Sequence, residues 1–228
     1  MSAFLQIART PIPGSSDELI LSRRDREYSI QISGYVSELM NSRMHYSEDL
    51  LAEWGCEGLR GQAGARVLVG GLGMGFTLAA ALNVLGPDAG VTVAELVPGV
   101  VEWNRGELGE CAGRPLDDPR SAVHIGDVGE LIRSVVAAYD AILLDVDNGP
   151  DAMTHPENAG LYDLTGLGAA ARALRPGGVL AIWSAEKSAR FTRRLREAGF
   201  KVEERSARAR PGKGAHHTVW LARRRVGG

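Results

Sequence analysis

The chain has 228 residues, 44% apolar and 24% charged, with a formal charge of −2, which suits one sizeable core carrying a small appendage. No apolar run reaches the roughly 18 residues of a membrane span, and the N-terminus lacks a basic-then-apolar secretion signal. Cys56 and Cys111, the only cysteines, show no metal-ligand spacing, so the sequence predicts a cytoplasmic protein without disulfides, structural metal or membrane association.

Residues 1–60 read as a strand-rich appendage. "EYSIQISGYVSELMNS" (27–42) alternates apolar and polar residues like a hairpin turning near Ser33 and Gly34, and "SEDLLAEWGCEGL" (47–59) reads as a helix. From residue 61 to 228 a second unit follows, in which short β-branched or apolar runs alternate with helix-like stretches. The runs are "VLVGG" (67–71), "VTVAEL" (91–96), "AVHIG" (122–126), "AILLDVD" (141–147) and "GVLAIWS" (178–184). This alternation predicts an α/β, Rossmann-like doubly wound sheet, mostly parallel, with helices on both faces. The end departs from it: "FKVEERSARA" and "HTVWLARRR", joined by the turn-rich "RPGKGAH", predict an antiparallel pair closing the sheet.

Half of the 26 basic residues fall between Lys187 and Arg225. The arginines of "KSARFTRRLREAGF" surround an amphipathic helix whose Phe191, Leu195 and Phe200 face inward, and no aromatic residues interleave as stacking platforms. A solvated basic face is therefore expected rather than a nucleic-acid site.

The chemistry concentrates at the ends of the predicted strands. In "RVLVGGLGMGFTLAAAL" (66–82), Gly71, Gly73 and Gly75 alternate at a strand-to-helix turn, where bare backbone N–H groups can cradle a nucleotide. Glu95 ends the second strand, placed to accept from the hydroxyls of an adenosine ribose. Asp127 ends the third, where it can accept from an adenine amino group, cap the next helix with Glu130, or do both. Such a site fits a nicotinamide dinucleotide or S-adenosylmethionine. The dinucleotide fingerprint, however, wants glycine where this chain has Phe76. After the fourth strand, Asp145, Asp147 and Asn148 stand where a transferred group would emerge, and Tyr162 lies at the start of the following helix, where it could line an acceptor pocket or the core.

The order "VLVGGLGMG", "VAEL", "HIGDV", "YDAILLDVDNGP", "LRPGGVLAIW" and a C-terminal hairpin resembles the class I S-adenosylmethionine-dependent methyltransferase fold over residues 61–225. Within it the chain looks most like the spermidine synthase branch, whose pattern YD-x-I-x-x-D-S-S-D-P-x-G-P stands where "YDAILLDVDNGP" does. The resemblance implies that Asp145 accepts a proton from an attacking amine; the position of Asp147 and Asn148 suits binding the amine or holding the following loop as a lid. The resemblance also implies a small amine as substrate and is compatible with a homodimer. Two departures matter. The family's G-G-G-D-G-G has an Asp for the cationic tail of decarboxylated S-adenosylmethionine, and Gly73 occupies that place; its Tyr-His-Glu is met only by His45, Tyr46 and Glu48 in another order. The missing carboxylate favours ordinary S-adenosylmethionine, hence methyl or alkyl transfer. Aminopropyl transfer from the decarboxylated donor and a non-catalytic adenosyl-binding protein are the alternatives.

Overall fold

The computed structural model describes residues 3–146 and 159–225, which form two sheets. Strands β1 (Leu5–Pro11), β2 (Glu18–Arg24), β3 (Glu27–Ile32) and β4 (Glu38–Asn41) make an antiparallel sheet in chain order. The predicted hairpin is β3–β4, with Gly34 at φ +81° in its turn. The first two strands escaped the sequence reading because "LQIARTP" lacks strict alternation.

The second sheet contains β5 (Arg66–Gly70), β6 (Gly90–Glu95), β7 (Ser121–Ile125), β8 (Tyr139–Leu144), β9 (Leu174–Ser184), β10 (Lys201–Arg210) and β11 (Lys213–Arg223). Its order is β10–β11–β9–β8–β5–β6–β7, parallel from β9 to β7, with β10 and β11 antiparallel at one edge. The fold is thus the mostly parallel, doubly wound sheet expected, with a separate N-terminal sheet. Helices α1 (Tyr46–Gly55), α2 (Phe76–Val84), α3 (Pro98–Arg105), α4 (Val128–Ser134), α5 (Ala159–Tyr162), α6 (Leu164–Ala173) and α7 (Ala189–Glu197), with short 3-10 helices at Glu57–Leu59, Leu108–Ala112 and Pro115–Asp117, complete the described elements.

The central strands are apolar at consecutive positions because both faces are covered. Side chains of a strand alternate between faces. Val67, Val69, Ala141 and Leu143 accordingly join one apolar cluster, while Leu68, Ile142 and Leu144 join the other. The first cluster continues into the N-terminal sheet through Ile12, Leu19, Leu21, Tyr28 and Ile30. Thr10 of β1 seats on α3 at Gly99, where a Cβ would come within 2.3 Å of its Oγ1. At the end of the sheet away from the glycine turn, the buried Asp140 carboxylate accepts from the Arg66 backbone N–H (2.8 Å) and the Arg175 guanidinium (2.8 Å), tying β5, β8 and β9 together.

Candidate active site

Chain order reverses between β5 and β8, so a crevice opens beyond their carboxyl ends. The glycine turn leaves β5 there and Asp145 follows β8. Gly71, Gly73 and Gly75 all hold positive φ, at +87°, +51° and +88°, which a residue with a Cβ adopts only under strain. At Gly71 space forbids one as well, since a Cβ would lie 2.4 Å from the Asp145 carbonyl oxygen. Backbone bonds fix the turn between its neighbours: Gly71 N–H donates to Ala94 O (2.9 Å) and Asp145 N–H to Gly70 O (3.0 Å). The buried Asn104 side chain donates to Gly73 O (2.9 Å), holding the turn from α3.

A cavity of about 860 Å³, open to solvent, runs from this turn to the N-terminal sheet. Gly71, Gly73, Glu95, Asp127 and Asp145 line it, and Ile30, Ile32 and Met40 form part of its apolar wall. The structure therefore brings most of the predicted site residues to one cavity. Glu95 is buried; its Oε2 accepts from Leu72 N–H and its Oε1 from Val97 N–H, each at 2.9 Å. It thus ties the glycine turn to the start of α3. Burial raises its pKa against the lowering pull of those N–H groups. Asp127 caps α4, accepting from Glu130 N–H at 2.6 Å, and also faces the cavity. Both roles foreseen for it are geometrically open.

Tyr162 departs from the acceptor role suggested by sequence. It is 1% exposed, stacked edge-on against Phe191 in the apolar cluster, and is not among the cavity-lining residues. A tyrosine in a short helix that packs against α6 takes the core position its apolar ring favours. Asp147 and Asn148 lie outside the described residues. Met40 is a feature the sequence did not expose: its Sδ would sit 3.2 Å from a Cβ at Gly73, so a thioether covers the place of the missing family aspartate.

Asp145 follows β8 on the cavity wall. Its Oδ2 accepts from the Thr77 hydroxyl of α2 at 2.8 Å. Burial pushes its carboxyl above the ordinary range against the pull of that bond. Glu48 on α1 is raised too, first by burial and then by the charge of Asp145, so the two carboxylates resist joint ionisation. Thr77 carried no motif of its own and only the fold places it at Asp145, whereas Glu48 stood in the sequence as part of the reordered His45, Tyr46 and Glu48 set.

A fold of this class, with a glycine turn, a buried acid ending the second parallel strand and a half-buried aspartate after β8, defines a class I methyltransferase-like transferase. The sequence model described as "Spermine/spermidine synthase domain" matches residues 65–197. The chain belongs to that family and is a transferase enzyme. A spermidine synthase in complex with the transition-state analogue AdoDATO shares the fold at TM-score 0.72 and 17% identity, over 97% of this chain and 73% of that one. Spermidine synthase from Thermotoga maritima gives 0.73 and 18% over 97% and 74%, and a probable spermidine synthase from Corynebacterium glutamicum ATCC 13032 gives 0.63 and 16% over 98% and 81%. No curated protein matches the chain. Among the described residues no helix is long and apolar enough to cross a membrane.

Proposed function

We propose that the protein transfers an aminopropyl group from decarboxylated S-adenosylmethionine to a small amine in the cytoplasm. Membership of the spermine/spermidine synthase family puts this ahead of the methyl transfer that the glycine turn alone favoured. The observation that carries the mechanism is the placement of Asp145: on the cavity wall, beside the glycine turn, with Oδ2 held by Thr77. The adenosyl group would lie along the turn with Glu95 and Asp127 at its ribose and adenine. A neutral amine attacks the carbon next to the sulfonium, the C–S bond breaks with its electron pair going to sulfur, and the amine nitrogen loses a proton to Asp145. Thr77 occupies one carboxylate oxygen and so orients the other towards that nitrogen. Burial makes the carboxylate a stronger base than an exposed one, at the cost that it must first be ionised.

The cover of Met40 over Gly73 favours a second reading, methyl transfer from ordinary S-adenosylmethionine, because glycine and a thioether stand where the family has its aspartate. The by-products separate the two. Incubation with each donor and a panel of di- and polyamines, followed by mass spectrometry, should give an aminopropylated amine and methylthioadenosine with the decarboxylated donor. A methylated amine and S-adenosylhomocysteine would establish the second reading instead. No product from either donor would overturn both. Gly73→Asp restores a carboxylate, Met40→Ala removes the thioether that would crowd it, and the pair should shift donor preference towards the decarboxylated form.

A further inference from the structure

A second cavity, of about 520 Å³ and open to solvent, shares no lining residue with the site above. Its place in the sheet follows from the pairing. Lys201 pairs with Arg223, Arg223 with Val179, Val179 with Ala141 and Ala141 with Val67, a row that crosses the sheet near the amino-terminal ends of β5 and β8. The cavity therefore lies away from Asp145, which follows the carboxyl end of β8. Side chains of β10 alternate between faces, so Lys201, Glu203 and Arg205 stand on one face, with Arg223 and Leu221 of β11 directly opposite the first two. Trp54, from the last turn of α1, and Glu57, just after it, wall the same cavity.

The charges on this wall are unevenly satisfied. The Arg205 guanidinium lies over the Trp54 ring, 5.4 Å from its centroid, with Nε donating to Glu203 at 2.7 Å and Nη1 to Glu57 at 3.2 Å. Both carboxylates of the cavity are thus engaged by one arginine. Lys201 and Arg223 are placed otherwise. They face each other across the ladder, where like charges repel, and among the described residues neither forms an ion pair. Arg223 donates only to a neutral group, the Gly177 carbonyl at 3.0 Å, and both side chains are exposed. Three cations against two carboxylates leave one positive charge over.

We propose that this cavity binds a small organic monoanion, a carboxylate carried on an apolar body. The carboxylate sits between Lys201 and Arg223, where it turns a repulsion into two charge-assisted contacts. The body lies against Trp54, Val179 and Leu221, the apolar part of the wall. A single negative charge matches the surplus, whereas a second would meet Glu203 and Glu57. The volume falls in the range of small-molecule sites. This assignment is independent of the transferase reading, because the two cavities have no residue in common.

The test uses the full-length protein and benzoate as probe, followed by NMR at the Trp54 indole N–H, which Trp54→Phe identifies. Benzoate should shift that resonance saturably, and benzamide, of the same shape without the charge, should bind at least about tenfold more weakly. Lys201→Gln combined with Arg223→Gln should weaken benzoate at least about tenfold as well. Lys201→Glu keeps the assay clear of a folding defect. It sets a carboxylate opposite Arg223, so it should melt no lower than the wild type without ligand and lose the rise in Tm that benzoate gives the wild type. Equal shifts from benzamide, undiminished binding in the double variant, or inorganic phosphate competing as strongly as benzoate would each overturn the proposal. A lower melt for Lys201→Glu would also count against it, since the pair would then be satisfied in the free protein.

Discussion

At the scale of single residues, the protein places two carboxyl groups, Asp145 and Glu48, where water is scarce. Burial disfavours their charged forms, so their folded pKa values lie above the ordinary 3.8 and 4.5. A carboxyl raised in this way contributes stability that is present at pH below its ordinary value and lost as pH rises through the raised one. Asp145→Asn removes one of the two charges and can still accept from Thr77. Thermal melts should therefore show the variant gaining on the wild type as pH rises from about 4 through about 6, keeping that gain above it, and converging with the wild type only below about pH 4. A gap that widens towards acid would show the carboxylate to be stabilised by folding. The same variant should bind donor nearly as well as wild type by calorimetric titration and lose at least about a hundredfold in kcat, since Asn has neither charge nor basicity. Full activity would remove Asp145 as the base.

At the scale of elements, the glycine turn shows how two positions with similar backbone can differ in cost. Gly71 and Gly34 hold φ of +87° and +81°. A Cβ at Gly34 meets nothing within 4 Å, whereas at Gly71 it strikes the Asp145 carbonyl. Gly34→Ala should cost only the left-handed strain, about 1 kcal/mol, and leave donor binding intact. Gly71→Ala adds a backbone clash and should cost about 3 kcal/mol or more while abolishing donor binding, because β5 and β8 cannot both keep their places. Chemical denaturation and titration of the two variants would check this; equal losses would show that the turn relaxes more freely than its packing implies.

At the scale of the whole molecule, the N-terminal sheet and the parallel sheet share one apolar cluster, with Leu21 and Ile30 from one side and Val67 and Val93 from the other all buried within it. Helix α1, which falls in the sequence-defined appendage, packs on α2 and on β9, β10 and β11. We propose that the division at residue 60 separates strand-rich from Rossmann-like sequence without separating two independently folding units. Thermal unfolding should then be a single transition, with calorimetric and van't Hoff enthalpies equal. Two resolved transitions would show that the N-terminal sheet folds by itself.

The parallel sheet, its antiparallel edge, the glycine turn and the acids at its strand ends were legible in the sequence because each depends on local signals. Buried strands are continuous apolar runs, positive φ demands glycine, and strand ends carry the polar groups of an open α/β sheet. The core placement of Tyr162, the cover of Met40 over Gly73 and the meeting of Ser47 with His217 were not legible. Ser47 and His217 are 170 residues apart. No periodicity or motif relates such positions; they meet only because α1 packs across the sheet beside β11. Sequence determined which chemistry the chain could host, and tertiary packing decided which carboxyls lose their water and what stands behind them.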